Sequence, residues 1–291
     1  MKLGCSTLHY EVAGVSQVEA IKSLSSIGYK GVELTYGRRY FTEEPTNFPN
    51  VKDLKNVLEN TGTEMVSFST SLFWAYRGNK VKYNKIVLEK LANAAAELKG
   101  DHIVVVTGAW PDDLDREEAW DNMVENMTWA ADLATKRGLK IAIEVVVSWG
   151  VRNTETFLKM RQQVGDKIYV NIDPSNFGLS GEDCEAVIKN LKDYIGGIHL
   201  KDSRYKGFTD EEINSWMKTK TFESPVRPGW TPTGEGDVNF KNFLKTLKEI
   251  DYKDWCMFEY EGNLNGYYTD PVKASSDSYA YFDKILKEIN S

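Results

Sequence analysis

Four side chains that can bind a metal ion each follow a short apolar segment of the sequence. Carboxylates that converge in a protein interior repel one another and lose hydration, and a divalent cation allows them to stay charged. Three carboxylates with one imidazole suit Mn²⁺ or Mg²⁺, with Co²⁺ or Zn²⁺ as alternatives. We therefore predict that these residues bind one divalent ion: Glu144 after "IAI", Asp173 after "YVNI", His199 after "GGI" and Glu259 after "WCMF".

Each of these residues also has a purely structural interpretation. A single acid at the end of a strand often caps the next helix or forms an internal ion pair, and a buried histidine often binds a backbone carbonyl. The chain has only two further histidines, His9 and His102. His102 precedes "IVVV", so we expect it at the opposite end of its strand, in a structural role.

The apolar segments belong to a pattern that runs through the whole chain. Short segments rich in branched apolar residues alternate with charged segments of helical period, such as "SQVEAIKSLSSIG", which has Ser16 as N-cap and Glu19 three residues later. Eight such units predict an α/β fold, a single (β/α)₈ TIM barrel domain over residues 1–291 with a long loop after strand 7. An open doubly wound sheet is the alternative, but the sequence lacks the Gly-rich phosphate turn that it requires.

A barrel of this kind has its active site at the C-terminal ends of the strands, where the four side chains would meet. The regular pattern breaks after the seventh strand, over an insertion from about residue 204 to residue 238. This insertion is rich in aromatic residues, proline and glycine, which is more typical of a functional loop than of a linker. We expect Trp230 in the insertion to close over a bound substrate.

The composition excludes several function classes. A net charge of −7 and a pI near 5.2 disfavour nucleic acid as a partner, and no apolar segment is long enough for a membrane span. The start "MKLGCSTLHY" lacks the apolar core of a signal peptide, and the three cysteines show no paired or metal-type spacing. We therefore expect a cytoplasmic protein that acts on a small molecule. The sequence is compatible with both a monomer and a homo-oligomer.

Several of these segments resemble a known family. "IAIEVV", "VNIDPSN", "GGIHLKDS" and "GEGDVNFKNFLKTLKEIDYKDWCMFEYEG" resemble the xylose isomerase-like TIM barrels, the sugar isomerase and epimerase superfamily. This superfamily includes ketose 3-epimerases, hydroxypyruvate isomerase, inosose dehydratase and endonuclease IV. The resemblance implies that Glu144, Asp173, His199 and Glu259 bind one divalent metal, and that Glu144 and Glu259 exchange a proton with the substrate carbon. Endonuclease IV needs several more histidines than the three present here.

We predict a divalent-metal-dependent isomerase or epimerase that acts on a ketose or keto-sugar by proton transfer through a metal-stabilised enediolate, with Mn²⁺ as the favoured metal. The epimerase branch usually has a histidine where this chain has Asn176. "HLKD" and "VRPGWTPTGEGDV" are similar to the inosose dehydratase branch, so a dehydratase of a keto-cyclitol or keto-sugar is the alternative. A sugar-binding barrel without catalysis is a third interpretation.

Lys201 follows His199 by two residues and would point to the same side of an extended strand. It would hold or protonate a substrate hydroxyl, or form a salt bridge with Glu144, Glu259 or Asp202. Asp202 would position Lys201 or Arg204. The sequence suggests further substrate contacts at strand ends and in the insertion: His9, Glu33, Trp74, Trp110, Trp149, Asn176, Asp202, Arg204 and Trp230.

Overall fold

Eight parallel strands form a closed barrel. The computed structural model describes residues 1–36, 50–72, 74–219, 227–262, 267 and 269–290. Its strands are β1 Lys2–Ser6, β2 Gly31–Tyr36, β3 Glu64–Thr70, β4 His102–Val106, β5 Lys140–Glu144, β6 Ile168–Ile172, β7 Ile195–Leu200, β8 Asp202–Arg204, β9 Gly229–Thr231 and β10 Trp255–Phe258. Strands β1 to β7 pair in sequence order, and β10 closes the barrel between β7 and β1. The predicted (β/α)₈ barrel is confirmed.

Helices follow the barrel strands and surround them. The described helices are α1 Leu8–Val12, α2 Gln17–Ile27, α3 Val51–Thr61, α4 Asn79–Glu97, α5 Arg116–Thr135, α6 Thr154–Val164, α7 Pro174–Leu179, α8 Cys184–Leu191, α9 Asp210–Thr219, α10 Phe240–Glu249 and α11 Pro271–Asn290. Among these helices, none combines the length and the apolar character that crossing a bilayer demands. The short helices α1, α7 and α9 are absent from the sequence-based prediction.

The ends of helix α2 illustrate how local sequence sets the boundaries. The Ser16 side chain accepts a hydrogen bond from the Glu19 backbone N–H, and the Glu19 carboxylate accepts one from the Ser16 N–H. This capping box satisfies two amide groups that a helix N-terminus otherwise leaves without partners. Gly28 ends the helix with a positive φ of 126°, which a side chain would disfavour.

A continuous apolar core fills the space between the barrel wall and the helices. Fully buried side chains from five helices, namely Leu24, Leu88, Phe157, Phe243 and Phe282, all belong to it. Burying each such side chain stabilises the fold by roughly 1.5–3 kcal/mol relative to exposing it. The barrel wall that carries the candidate ligands is therefore rigidly supported.

His102 lies at the first residue of β4, at the N-terminal end of the barrel. Its Nδ1 is 3.0 Å from Asp101 Oδ2, and Lys140 Nζ is 3.0 Å from Asp101 Oδ1. This position agrees with the structural role that the sequence predicts for His102.

The described parts of the insertion after β7 contain two strands and a helix. Strands β8 and β9 pair antiparallel, and α9 lies between them in the chain. The Trp216 and Trp230 rings meet edge to face with centroids 4.9 Å apart. Together with Ile213 they pack on residues near the C-terminal ends of barrel strands, and these are Val106, Val146, Val147 and Leu179. The described parts of the insertion thus form a small apolar cap on the C-terminal end of the barrel, where the sequence predicts a long loop.

Candidate metal centre

The strands bring the four predicted ligands to the same end of the barrel. Glu144 is the last residue of β5, Asp173 directly follows β6, and Glu259 directly follows β10. His199 lies in β7 opposite Met257, two residues before Glu259. Because the strands are parallel, these positions converge at their C-terminal ends.

One ligand atom from each of these residues lies within 4.8 Å of the others. We call Glu144, Asp173, His199 and Glu259 the ligand group; each is at most 1% exposed. Within the part of the chain that the structure describes, no second group of three or more metal-binding side chains comes this close together. The predicted cluster is therefore assembled by the fold.

The Lys201 ammonium contacts the carboxylates of the ligand group. Its Nζ lies 2.8 Å from Asp173 Oδ2, 2.7 Å from Glu259 Oε2 and 3.3 Å from Glu144 Oε1. A fourth carboxylate, Glu261 Oε2, is 3.0 Å away. The predicted pairs with Glu144 and Glu259 are present, whereas the carboxylate of Asp202 is directed elsewhere.

Burial and the neighbouring charges act in opposite directions on these groups. Burial lowers the pKa of Lys201, but the surrounding carboxylates, Asp173 first, outweigh it and raise the pKa well above its usual value. Burial raises the pKa of Glu144, but Lys201 and His199 together outweigh it and bring the pKa to about 2. Burial, with repulsion from Glu144 and Glu259, raises the pKa of Asp173 to about 7 in spite of Lys201. Lys201 is therefore protonated and Glu144 is ionised.

The environment of these groups fits a divalent cation. Five buried carboxylates crowd around one ammonium and one imidazole: Glu33, Glu144, Asp173, Glu259 and Glu261. Among the described residues, Glu144 Oε2 is buried and has no hydrogen-bond partner. The His199 Nδ1 lies 3.7 Å from Glu144 Oε1 and 3.6 Å from Glu259 Oε2, which is too far for a normal hydrogen bond. Oxygen and nitrogen atoms of this kind are suitable ligands for Mn²⁺ and related ions.

Glu33 lies in the barrel interior beside His199. His199 Nε2 lies 3.2 Å from the Glu33 carboxylate, and Ser67 Oγ donates to Glu33 Oε2 at 2.7 Å. The second oxygen, Glu33 Oε1, is buried without a hydrogen-bond partner among the described residues, and its expected contact with a substrate hydroxyl stays a prediction. The sequence offers an ion pair of Glu33 with Arg38 or Arg39 as the alternative, and those two residues lie outside the described ones. In the structure, Glu33 directs the Nδ1 of His199 toward the ligand group.

Asn176 lies on α7 and touches two members of the ligand group. Its Nδ2 donates to Glu144 Oε1 at 2.8 Å and to Asp173 Oδ2 at 3.2 Å. Asp173 Oδ1 caps α7 by accepting from the backbone N–H of Ser175 at 2.9 Å. Asp173 can therefore cap α7 through Oδ1 and still offer Oδ2 to a metal ion, so the two interpretations are compatible.

Asp202 holds the insertion to the barrel. Its carboxylate accepts hydrogen bonds from the backbone N–H groups of Gly234, Gly236 and Ser203 at 2.8–3.0 Å, with Val238 at 3.4 Å. The Asp202 carboxylate thus binds the backbone of the insertion and not the Lys201 ammonium, and its expected contact with substrate stays a prediction. The guanidinium of Arg204 likewise donates to a backbone carbonyl of the insertion, that of Glu235 at 3.1 Å.

Among the aromatic residues expected to contact substrate, Trp230 lies close to Lys201, with its ring centroid 5.5 Å from Lys201 Nζ. Trp149 packs against the same apolar cluster as Trp230, and Trp110 is covered by the Arg116 guanidinium at 4.4 Å. Trp74 is fully buried at the C-terminal end of the barrel, where its backbone N–H donates to the Thr107 carbonyl and its ring packs near Trp129 of α5. Contact of these residues with a substrate stays a prediction.

His9 lies on the short helix α1. Its Nε2 is 2.8 Å from Ser275 Oγ, and its ring packs against Phe258 and Tyr260. Burial lowers its pKa to about 3, so the imidazole is neutral. The structure therefore places His9 in the packing behind β10 and not in the ligand group.

A family model described as xylose isomerase-like TIM barrel matches residues 21–285. The chain belongs to this family. The resemblance that the sequence motifs suggest is thereby confirmed, and the fold agrees with it.

Proteins similar to this chain include enzymes of two classes. The inosose dehydratase of Clostridium botulinum (strain Alaska E43 / Type E3) is 27% identical over 285 residues, covering 90% of this chain and 85% of that protein. The crystal structure of D-allulose 3-epimerase from Methylomonas sp. has a TM-score of 0.72 at 17% identity, covering 98% and 96% of the two chains. A crystal structure of the IOLI protein with a zinc atom has a TM-score of 0.70 at 18% identity, covering 99% and 98%. At these identities the two structures establish the shared barrel.

Sequence reasoning missed two residues of the site in this xylose isomerase-like barrel. Glu261 follows Glu259 by two residues, and the alternation of side chains along an extended segment was the available signal. Ser67 on β3 donates a hydrogen bond to the Glu33 carboxylate on the neighbouring β2, and nothing in the local sequence indicates that pairing.

Proposed function

We propose that this chain is a divalent-metal-dependent lyase that removes water from a keto-cyclitol or a keto-sugar. The position of Lys201 carries the proposal, because its ammonium contacts three of the four candidate ligands and so lies beside the expected substrate site. The inosose dehydratase named among the relatives supports the same activity, since it matches 90% of the chain. Isomerase or epimerase activity becomes the second candidate.

The ligand group would hold the ion, and we expect Mn²⁺, with Mg²⁺, Co²⁺ and Zn²⁺ as alternatives. When bound, a divalent cation would withdraw electron density from the substrate carbonyl and acidify the neighbouring C–H group. The zinc atom in the IOLI structure supports divalent-ion binding within this fold.

Glu144 and Glu259 are the candidate bases. Both carboxylates are buried at the C-terminal ends of strands on either side of β6 and β7, and Lys201 keeps Glu144 ionised. One of them would take the proton from the carbon next to the substrate carbonyl. A positioned carboxylate typically contributes about 10²–10⁴-fold to such a proton transfer.

Lys201 is the candidate acid for the departing hydroxyl. As the C–H bond breaks, its electron pair forms a C=C bond to the next carbon, and the C–O bond of that carbon breaks. The hydroxyl takes a proton from Lys201 and leaves as water. The proton on the glutamate then returns to the Lys201 amine, and both groups regain their initial state. The distance between Lys201 Nζ and the carboxylate oxygen is 3.3 Å for Glu144 and 2.7 Å for Glu259.

A different observation favours epimerisation: Glu144 and Glu259 come from separate strands and both belong to the ligand group. One glutamate would remove a proton and the other would return it to the opposite face of the same carbon. In that reaction Lys201 would hold a hydroxyl without expelling it.

NMR in D₂O distinguishes the two reactions. We expect the Mn²⁺-loaded protein to convert a keto-inositol to an unsaturated or deoxy ketone, and EDTA to stop the conversion. Lys201→Gln should lower the rate of water loss by about 100-fold while deuterium still enters at the carbon beside the carbonyl. Lys167→Gln, which removes an exposed lysine paired with Asp132, is the matched control and should keep full activity. A deuterated epimer without water loss would reject the lyase proposal.

A further inference from the structure

Lys201 and the imidazole of His199 approach the same carboxylate oxygens. Glu144 Oε1 and Glu259 Oε2 are the atoms nearest to His199 Nδ1, at 3.7 and 3.6 Å, and they are also the atoms that Lys201 Nζ contacts. An ion held by His199 and these oxygens would therefore share its ligands with an ammonium. Two cations on the same oxygen atoms in a buried site repel each other strongly, because little solvent screens them.

Glu261 differs from the other carboxylates around Lys201. It binds the ammonium at 3.0 Å but does not belong to the ligand group. Its side chain is buried, so the contact is not one that solvent readily replaces. The Trp230 ring lies 5.5 Å from Nζ and adds a cation–π attraction. Glu261 and Trp230 thus attract the ammonium without belonging to the ligand group.

We propose that Lys201 competes with the divalent ion for Glu144, Asp173 and Glu259, and that Glu261 is a positioning residue that draws the ammonium aside and retains it beside the ion. This inference rests on the metal centre of the proposed function. It makes the affinity for the ion depend on Lys201 and Glu261 in addition to the ligand group. It also keeps the proton donor next to the substrate.

Mn²⁺ titration without substrate tests the inference, with calorimetry for affinity and the EPR signal of free Mn²⁺ as a second readout. Removing the competing charge in Lys201→Met should lower the dissociation constant for Mn²⁺ by about tenfold, and Glu261→Gln should raise it by about fivefold. Lys167→Met and Glu288→Gln, which remove exposed members of other ion pairs, should leave it unchanged. If the Met variant does not fold, Lys201→Gln replaces it, because glutamine can still donate hydrogen bonds to the carboxylates.

The double variant separates positioning from simple charge attraction. Because Glu261 acts through Lys201, Glu261→Gln should have no effect on Mn²⁺ affinity once Lys201 is replaced. The inference would be overturned if Glu261→Gln weakened Mn²⁺ binding fivefold both with and without Lys201. It would also be overturned if the Lys201 variants bound Mn²⁺ as tightly as, or more weakly than, the unaltered protein. A Mn²⁺-loaded protein that shows these affinity changes but converts no ketose or inosose would overturn the proposed function alone.

Discussion

At the scale of single residues, the site is defined by an excess of buried negative charge. Desolvation together with like charges raises the pKa of Asp173 to about 7, although Lys201 lies 2.8 Å away. Crowded carboxylates of this kind are costly for a fold unless a cation compensates them. The crowding is therefore the strongest physical argument for a functional metal site.

Much of this residue pattern could be predicted from the sequence. Acids that follow apolar strands at Glu144, Asp173 and Glu259 point to one end of a barrel as soon as the barrel itself is inferred. The role of Glu33 could not be predicted, because its partner His199 lies on β7, far from β2 in the chain, and because nothing local shows that Ser67 stands opposite Glu33 on β3.

We expect Glu33→Gln to weaken Mn²⁺ binding by about 10- to 100-fold, because the carboxylate orients His199 and increases the basicity of its ring. Calorimetric titration with Mn²⁺ measures the change. Glu64→Gln, which removes an exposed carboxylate at the start of β3, serves as the control. Equal affinities in the two variants would show that Glu33 does not support the metal ligand.

At the scale of elements, Asp202 connects the insertion to the end of β7. The Asp202 carboxylate accepts hydrogen bonds from several backbone N–H groups, so the polypeptide from Gly234 to Val238 wraps around it. This arrangement explains why glycine occurs at position 236, where a Cβ atom would lie 2.2 Å from Asp202 Oδ1. The motif "GEGD" is thus a loop anchor beside the site.

We expect Asp202→Ala to lower the free energy of unfolding by about 2–3 kcal/mol, because one buried and three partly buried N–H groups lose their acceptor. Asp115→Ala, which removes an ordinary N-cap from α5, should cost only about 1 kcal/mol. Urea denaturation monitored by circular dichroism compares the two. A smaller loss for Asp202→Ala than for Asp115→Ala would contradict the anchoring role.

The helices that the sequence did not predict depend on tertiary contacts. Helices α1 and α7 have only five and six residues, and α9 lies between two strands of an insertion whose packing partners are distant in the chain. Very short helices depend on tertiary contacts more than on local propensity. Helices such as α2 carry their own caps and periodicity, which is why their positions could be predicted.

At the scale of the whole molecule, the two ends of the barrel have separate roles. The N-terminal end carries the Asp101, His102 and Lys140 cluster, and the C-terminal end carries the ligand group and the insertion. Alternating strand and helix periods predict this barrel well, because every unit repeats the same signal. They do not predict which polar side chains pair across the interior.

The Asp101 cluster should stabilise the fold only above acidic pH. Burial raises the pKa of Asp101, but the hydrogen bond from His102 and the pair with Lys140 outweigh it and lower the pKa to about 2. Because the folded-state pKa lies below the unfolded value, the stabilisation is present above about pH 4 and is lost as the pH falls toward about 2. We expect Asp101→Asn to cost about 1 kcal/mol near neutral pH after solvent screening, and progressively less below about pH 4. Urea denaturation across this pH range measures the difference, and a constant difference would contradict the assignment.

Metal binding should stabilise the whole barrel. Mn²⁺ at about 100 times its dissociation constant should raise the free energy of unfolding by about 2.7 kcal/mol, and EDTA should reverse the change. Thermal unfolding with and without the ion measures the effect. Asp173→Asn should abolish it, and a full Mn²⁺ effect in that variant would place the ion elsewhere.

Anomalous X-ray diffraction at the manganese absorption edge, from crystals grown with Mn²⁺, tests the central claim most directly. We predict one strong anomalous peak, enclosed by the carboxylates of Glu144, Asp173 and Glu259 and by Nδ1 of His199. Crystals that bind Mn²⁺ only at other positions, or that show no peak among these four side chains, would contradict the metal centre and the function built on it.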